Sequence, residues 1–279
     1  DSDEDVWEDG DSFGTETRIT LYPFNHAPRE LSIAHFDIIR ARWTRTMRSQ
    51  HATLVDPLTG VRHDVTKLGV RLKKLNHTVV KSLTSLIGSK AQGELRCPLD
   101  DEGDAESFTE WLQRAHSLRC NGDATFKASL MLTGAPASGK SCLLKQIVIH
   151  LIDGNERLDG NLIPIHIRAH ELQSRLLNED GHIFGQAWNW IDAYMKIVHG
   201  HDSETYSMLR QALMSRRALV LIDGIDECGV VRERIVRHIT EILAPQGHMV
   251  VITSRPTREP IKAFGEFFHH LELQPLSDE

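Results

Sequence analysis

Long apolar runs, paired cysteines and a basic leader are all missing from this chain of 279 residues. The longest apolar run, Ala218 to Ile222, has five residues, far short of the ~20 that a membrane-spanning helix needs, so we expect no membrane segment. Residues 1–16 are too acidic for a signal or transit peptide. Because the chain has no initiator Met and stops abruptly at Glu279, we expect a fragment whose missing flanking domains bind unknown protein partners.

Cysteine and histidine patterns predict neither a disulfide framework nor a zinc site. The four cysteines are Cys97, Cys120, Cys142 and Cys228. They include no CxxC pair, and their low density favours reduced thiols in an intracellular, cytoplasmic protein. Sixteen histidines occur without an HExxH pattern. We interpret them as surface or strand-end imidazoles, with His269-His270 and the pair His199 and His201 left open as metal ligands.

Charge is distributed in blocks, although the net charge of the chain is only −7. Residues 1–16 contain eight acids and no base, which is typical of a solvated, disordered tail. Residues 17–98 contain 14 Lys and Arg against 5 Asp and Glu, a net charge of +9. We interpret this block as solvated surface. An acidic partner or the acidic tail stays open as a ligand, and we do not expect nucleic acid. Four arginines are expected to scatter around a helix rather than form a stripe: Arg40, Arg42, Arg45 and Arg48.

Residues 17–98 predict a small mixed region of unknown fold. Thr17 to Phe24 alternates like a short strand, and apolar residues at spacings of three and four predict a helix over 31–47. A Pro-Leu-Thr-Gly turn within residues 52–65 predicts a hairpin. A further helix is expected from Val79 to a stop at Gly88. Residues 99–105 then form a linker.

A glycine-rich loop between an apolar strand and an amphipathic helix is the clearest motif of the chain. GAPASGKS, residues 134–141, matches GxxxxGK(S/T) without a gap. Gly134 and Gly139 let the backbone approach phosphate, and successive N–H groups at a helix N-terminus cradle anionic oxygens. Lys140 is expected to reach the β- and γ-phosphates, and the Ser141 hydroxyl to ligate Mg²⁺. The candidate phosphate-binding residues are Gly134, Ala135, Pro136, Ala137, Ser138, Gly139, Lys140, Ser141 and Cys142.

An acid ends the apolar strand from Ala218 to Ile222. Continuous hydrophobicity is typical of a parallel strand buried on both faces. A carboxylate at its C-terminal end lies in the crevice where open α/β sheets bind ligands. We therefore predict that Asp223 holds Mg²⁺ directly or through water. Asp226 and Glu227 follow on the turn, and one of them is the candidate to orient the attacking water.

A third buried-type strand, Met249 to Ile252, leads into Thr253-Ser254-Arg255 and is stopped by Pro256. An arginine at a neighbouring strand end can read whether a γ-phosphate is present. Arg255 is therefore a candidate catalytic sensor. The alternative is a surface arginine that pairs with a local acid.

Together, GAPASGKS, LVLIDGIDE and VVITSRP resemble the motifs of the NACHT family of signal-transduction NTPases, in the STAND class. LIPIHIRAHEL, residues 162–172, also resembles the family's second strand and the segment after it. The resemblance covers residues 106–279 and implies a switch governed by ATP and ADP, in which ATP permits self-association through the NTPase domain. It assigns the Walker A loop to phosphate, Asp223 to Mg²⁺, Asp226 and Glu227 to hydrolysis, and Arg255 to sensing. Residues 1–105 match no effector domain of that family.

The rest of the pattern predicts an α/β fold, a doubly wound parallel sheet of about five strands with helices on both faces. The predicted strands are 128–133, 162–167, 218–222, 249–253 and 268–273. The predicted helices are 139–153, 185–198, 204–215, 230–243 and 258–265. By family resemblance, the strand that carries Asp223 is expected beside the strand that precedes the P-loop.

Signal-transduction ATP hydrolysis of low turnover is the function that these motifs favour, with ATP or ADP and Mg²⁺ as cofactors. A Ras-type GTPase would need NKxD and an ABC ATPase an LSGGQ-like signature, and neither occurs. A small-molecule kinase stays an alternative, although the TSRP strand argues against it. The other alternative is a nucleotide-binding scaffold without significant hydrolysis.

Overall fold

The computed structural model describes residues 18–21, 29–55, 59–66, 115, 128–153, 162–178, 180–256, 263–265 and 267–273. Several predicted segments lie outside them: the acidic tail 1–16, the helix at 79–88 and the linker 99–105. Between residues 67 and 127 only Ala115 is described, and it is helical and buried. The helix predicted over 258–265 is described only at its end, where residues 263–264 are helical.

The N-terminal region consists of two small hairpins on either side of one long helix. Strands β1 (Arg18–Leu21) and β2 (Arg29–Ser32) pair antiparallel, as do β3 (Thr53–Val55) and β4 (Arg62–Asp64). The hairpin predicted within residues 52–65 is therefore confirmed. Helix α1 spans Ile33–His51, so it begins and ends later than predicted.

Five parallel strands form the central sheet: β5 (Ser129–Thr133), β6 (Ile163–Arg168), β7 (Ala218–Asp223), β8 (Met249–Ser254) and β9 (Phe268–Glu272). All residues of β5 and β8 are buried, as is β7 up to Ile222. Their uninterrupted apolar runs are explained by this position inside the sheet. The predicted α/β class and all five predicted strands are confirmed.

The expected position of the strand that carries Asp223 is wrong. The order across the sheet is β6-β7-β8-β5-β9, so β8 lies between β7 and the P-loop strand β5. β8 pairs with both neighbours in parallel. The C-terminal end of β8, with Thr253 and Ser254, therefore lies between the P-loop and the acidic turn after β7.

Six α-helices in the described part of the chain lie between the strands of the central sheet. They are α2 (Lys140–Ile152), α3 (Ala169–Leu177), α4 (Gly181–Gln186), α5 (Trp190–His199), α6 (Glu204–Met214) and α7 (Arg232–His238). α2 leads from β5 across to the far edge of the sheet, and α7 leads back from β7 to β8. Right-handed crossovers in opposite directions place helices on both faces, as predicted.

Two predicted helices are divided in the structure. The segment 185–198 is split because Asn189 caps a new helix, its side-chain oxygen accepting the N–H of Asp192 at 2.8 Å. The segment 230–243 contains a 3₁₀ turn at Gly229–Val231, helix α7 and a π-helical turn at Ile239–Leu243. Helix α3 was not predicted. None of the helices in the described part of the chain has the length and apolar character that a membrane span requires.

Helix α1 packs against α2 and α6 and joins the N-terminal region to the sheet domain. Its buried side chains are Ile39, Trp43 and Met47. Beyond α1, the Lys145 ammonium donates to the carbonyl of Thr53 at 3.1 Å, and the Gln146 side-chain amide donates to that of Val65 at 2.9 Å. The P-loop helix is thus in direct contact with the N-terminal region.

Candidate functional site

The loop between β5 and α2 is folded tightly around its glycines. A Cβ atom on Gly134 would lie 2.5 Å from the Ser138 hydroxyl oxygen, so any side chain there would push into the loop. Gly139, just before α2, has φ 89°, a left-handed conformation that glycine adopts without steric cost. Ala137 also has a positive φ, 61°. The loop therefore passes close to its own residues and enters the helix through a sharp turn.

Unpaired backbone donors gather where this loop becomes α2. The first hydrogen bond of α2 runs from the N–H of Leu143 to the carbonyl of Gly139 at 2.8 Å. Lys140, Ser141 and Cys142 precede this bond in the first helical turn, so their N–H groups have no acceptor within the helix. Within the loop, Pro136 has no N–H and Ser138 donates to the carbonyl of Ala135 at 3.2 Å. A helix N-terminus of this kind attracts an anion.

Lys140 lies between the loop and the acidic turn after β7. Its ammonium donates to the carbonyls of Gly134 and Ala135, both at 2.7 Å. Burial lowers the pKa of Lys140, while the nearby carboxylates of Asp226 and Asp223 raise it. The lysine-bearing loop and the carboxylates of this turn therefore share one electrostatic environment.

Asp223 is held at the end of β7 by the neighbouring strand. The Thr253 hydroxyl donates to Oδ1 of Asp223 at 2.6 Å and accepts the N–H of Gly224 at 2.8 Å. This bond is possible because β8 lies directly beside β7. It fixes one carboxylate oxygen of Asp223 and leaves the other outside this contact.

The two acids after Asp223 have different surroundings. Asp226 accepts the backbone N–H of Arg255 at 3.1 Å, and its other oxygen lies 3.1 Å from Nε of the same arginine. Its side chain is only 12% exposed, whereas that of Glu227 is 55% exposed. Oε2 of Glu227 lies 3.9 Å from Nδ1 of His170.

The structure brings together most residues predicted from the sequence. Asp226, Asp223, Arg255 and Glu227 all lie close enough to Lys140 to shift its pKa. Cys142 is different, because its side chain is 4% exposed and lies in the hydrophobic core. Burial raises the pKa of its thiol. Only its backbone N–H, at the helix N-terminus, faces the loop end of α2.

Sequence reasoning missed two polar neighbours of the site. Thr253 was noted only as the exit of β8, although it bonds to Asp223. His170, which lies near Glu227, stands in a helix that was not predicted. The adjacency of β7 and β8 would have identified Thr253, but the order of the strands is not fixed by the sequence.

The donor set fits a nucleotide with a divalent cation. In the part of the chain that the structure describes, no group of three or more His, Cys, Asp and Glu side chains could hold a metal on its own. The Ser141 hydroxyl and the Asp223 carboxylate are oxygen donors of the kind that Mg²⁺ prefers. Mg²⁺ is commonly held by one or two such groups together with phosphate oxygens, and the free N–H groups of α2 suit those phosphates.

Comparison with known proteins identifies one family. The model described as NACHT domain matches residues 128–279, more than half of the chain. No curated protein matches the chain.

Solved structures with a similar fold have low sequence identity. C. elegans PCH-2 has a TM-score of 0.40 and 16% identity over 61% of this chain and 42% of that chain. The DnaC helicase loader has a TM-score of 0.34 and 13% identity over 62% and 95%. The Aeropyrum pernix ORC1 protein, solved in complex with DNA, has a TM-score of 0.33 and 14% identity over 60% and 45%. The chain thus spans less than half the length of PCH-2 and ORC1.

Proposed function

The chain belongs to the NACHT domain family, whose members are P-loop nucleotide-binding NTPases, and we propose that it is a signal-transduction switch driven by slow, Mg²⁺-dependent ATP hydrolysis. The single observation that carries this proposal is that Lys140, held on the carbonyls of the P-loop, lies close enough to the carboxylates of Asp226 and Asp223 for both to raise its pKa. A lysine beside two acids at a helix N-terminus suits a polyphosphate bound with a cation. Binding of ATP or ADP would then set the conformation of the chain.

Phosphate binding is assigned to the first turn of α2 and its lysine. The N–H groups of Lys140, Ser141 and Cys142 would receive phosphate oxygens. The Lys140 ammonium, which now donates to two loop carbonyls, would turn to the β- and γ-phosphates. Ser141 and Asp223 would hold Mg²⁺, whose chemistry when bound is to neutralise phosphate charge and polarise the transferred group.

Glu227 is the residue that we assign to the attacking water. Both oxygens of Asp226 contact Arg255, and its side chain is only 12% exposed, so a water molecule has less access to it than to Glu227. Glu227 is more than half exposed and follows Asp226 on the same turn. We therefore assign Asp226 to the positioning of Arg255, and Arg255 to sensing the γ-phosphate.

Self-association through the NTPase domain is the output that we propose for the switch. Arg255 is 56% exposed although it is bonded to Asp226, so its guanidinium can respond both to nucleotide and to a neighbouring copy. A low rate in the isolated chain would follow if an arginine must come from a second copy, since such a residue contributes ~10³–10⁵ in rate. Protein partners bound by flanking domains would control this step.

Thermal unfolding with ATP, ADP and GTP tests the nucleotide assignment. Nucleotide at ~100 times its Kd stabilises a fold by about 2.7 kcal/mol, which raises Tm by roughly 5–10 °C for a domain of this size. Lys140→Ala should abolish the shift. Lys145→Ala, one turn along the same helix, should lower Tm but keep the shift, because Lys145 binds Thr53 instead.

The outcomes separate the alternatives. An equal response to GTP would contradict the choice of adenine nucleotide, and no response to any nucleotide would overturn the proposal. A normal ATP shift without phosphate release, at every protein concentration and with Mg²⁺ present, would establish a scaffold that binds nucleotide without hydrolysis.

A further inference from the structure

A groove lies between α1 and the sheet domain, away from the P-loop. It has a volume of about 1060 Å³ and runs between α1, the C-terminal ends of α2 and α6, and the start of β6. Its apolar wall includes Phe36 and Trp43 from α1, Leu151 from α2 and Met208 from α6. The candidate nucleotide site does not use any of these residues.

The charged residues of this groove are predominantly arginines. Arg40, Arg45 and Arg48 from α1 line it together with Arg217, which precedes β7, and Asp37 is the only acid among the lining residues that the structure describes. Three of the four arginines of α1 therefore line the groove, and Arg42 is not among its lining residues. At about 100° per residue, Arg40, Arg45 and Arg48 spread over roughly 140° of the helix circumference, so they border the groove as a broad arc and not as one stripe.

Two of the four arginines have no local counter-charge. Arg48 pairs with Asp153, and Arg40 lies 3.4 Å from Asp37. No described residue forms an ion pair or a side-chain hydrogen bond with the guanidinium of Arg45 or Arg217. Positive charge beside an apolar wall is suited to an acidic chain that also carries apolar side chains.

The acidic segment 1–16 has these properties. It contains eight carboxylates and no base, and Trp7 and Phe13 lie between its acids. It ends two residues before β1, and β1 packs against both α1 and α6, the two helices that border the groove. Since an extended chain spans up to ~3.3 Å per residue, its seven residues nearest β1 alone could cover more than 20 Å.

We propose that residues 1–16 bind in the groove between α1 and α6, with their carboxylates on Arg45 and Arg217 and their aromatic side chains on the wall formed by Phe36, Trp43 and Leu151. This assigns a ligand to the groove and a binding partner to the acidic segment. It also places an intramolecular contact at the C-terminal end of α2, the helix whose N-terminus carries Lys140.

A competition experiment on the full chain tests this proposal. The probe is a fluorescent synthetic peptide of residues 1–16, and its binding is followed by anisotropy. A neutralised chain, with all eight acids of the segment changed to the corresponding amides, should bind the peptide. The unmodified chain should bind it at least about tenfold more weakly, because an attached segment competes at an effective concentration near millimolar.

Matched charge variants identify the surface that is bound. In the neutralised chain, Arg45→Glu with Arg217→Glu should reduce peptide affinity at least about tenfold, as expected for the loss of close charge pairs. The control variant combines Arg42→Glu and Arg62→Glu, which make the same change of net charge on exposed residues outside the groove. This variant should lose much less peptide affinity. Thermal unfolding of each variant establishes that it is folded.

Three outcomes would overturn the proposal. They are no peptide binding to the neutralised chain, equal binding to the neutralised and unmodified chains, and equal losses in the two double-arginine variants. Competition in the unmodified chain should not change with protein concentration. If it disappears on dilution, the occupant is the segment of a second copy and the intramolecular proposal is wrong.

Discussion

Thr253 donates a hydrogen bond of 2.6 Å to Asp223 across the boundary between β8 and β7, and accepts one of 2.8 Å from the N–H of Gly224. One hydroxyl therefore fixes both the carboxylate assigned to Mg²⁺ and the first peptide of the turn that follows. Thr253 is completely buried, so water cannot replace either bond. The position of Asp223 depends on a side chain from another strand.

Replacing Thr253 with Val should destabilise the fold and weaken the response to Mg²⁺ and ATP together. Val has nearly the same shape but leaves a partly buried carboxylate oxygen of Asp223 and a partly buried N–H of Gly224 without their partner, which costs about 1–3 kcal/mol. Urea unfolding measures the stability loss, and the Tm shift with Mg-ATP measures the site. Thr253→Ser keeps the hydroxyl and should retain the Tm shift. An equal shift in the Val and Ser variants would show that the bond does not orient Asp223.

Local sequence was sufficient for the strands and for the nucleotide loop. The runs Leu130 to Leu132, Ala218 to Ile222 and Met249 to Ile252 are continuously apolar, and only burial on both faces explains such runs. The P-loop has spacing constraints that arise within a few residues, as the clash at Gly134 illustrates. Patterns that are satisfied locally can be interpreted without knowledge of the rest of the chain.

Contacts between distant segments could not be predicted. The order of parallel strands depends on which crossovers pack, and no local pattern distinguishes β8 from β7 as the neighbour of β5. The acceptor of the bond from Lys145 is the backbone carbonyl of Thr53. Because every residue has such a carbonyl, the sequence does not indicate which one Lys145 contacts. Helix α1 shows the same limit, since three of its arginines line one groove only because α6 and β6 pack beside the helix.

The two acids after Asp223 should respond differently to removal of their charge. Glu227→Gln should preserve nucleotide binding and reduce ATP turnover by about 10²–10⁴-fold, the usual contribution of a general base. Asp226→Asn should release Arg255 from its charged partner and alter the difference between ATP and ADP affinity. Phosphate release and nucleotide titration measure the two effects. Unchanged turnover in Glu227→Gln would contradict its assignment to water.

A buried ion pair outside the site should dominate the stability of helices α5 and α6. Asp192 on α5 is 1% exposed, pairs with Arg210 and accepts the Tyr206 hydroxyl at 3.2 Å. Burial followed by the charge of Asp192 raises the pKa of Tyr206. Arg210→Ala would leave the carboxylate buried without its cation, which costs about 3–5 kcal/mol. Urea unfolding monitored by circular dichroism measures this loss.

An exposed ion pair provides the comparison for Arg210. Arg237 lies 3.9 Å from Glu241, and both side chains are about two-thirds exposed. Arg237→Ala should cost less than about 1 kcal/mol, because solvent screens such pairs. Tyr206→Phe should fall between the two, since it removes one hydrogen bond and no charge. A loss for Arg210→Ala as small as that for Arg237→Ala would mean that Asp192 is not charged in the folded chain.

Mild acid should weaken the contact between α1 and the sheet through two histidines that meet edge to face, His51 and His166. Nδ1 of His51 donates to the carbonyl of Met47 at 2.9 Å, and its Nε2 lies 2.9 Å from Nδ1 of His166. When both rings are neutral, Nε2 of His51 accepts the proton of Nδ1 of His166. Burial is the largest cause that lowers the pKa of His166 to about 4, and the neighbouring His51 is the second. The charge of Asp223 raises this pKa, while the charges of Arg168 and Lys145 lower it further. Burial also lowers the pKa of His51.

The sign of the pH dependence follows from these directions. In the unfolded chain both histidines have a pKa near 6.5, so below that pH they bind protons that they do not bind in the folded chain. The free energy of unfolding therefore falls as pH decreases from about 6.5 to 4. His166 contributes at most about 3 kcal/mol of this loss. Urea unfolding at several pH values should give a shallower slope for His166→Gln, and an unchanged slope for His63→Gln, which alters an exposed ring on β4. The same slope in His166→Gln as in the unmodified chain would show that this histidine pair does not transmit acid sensitivity to α1.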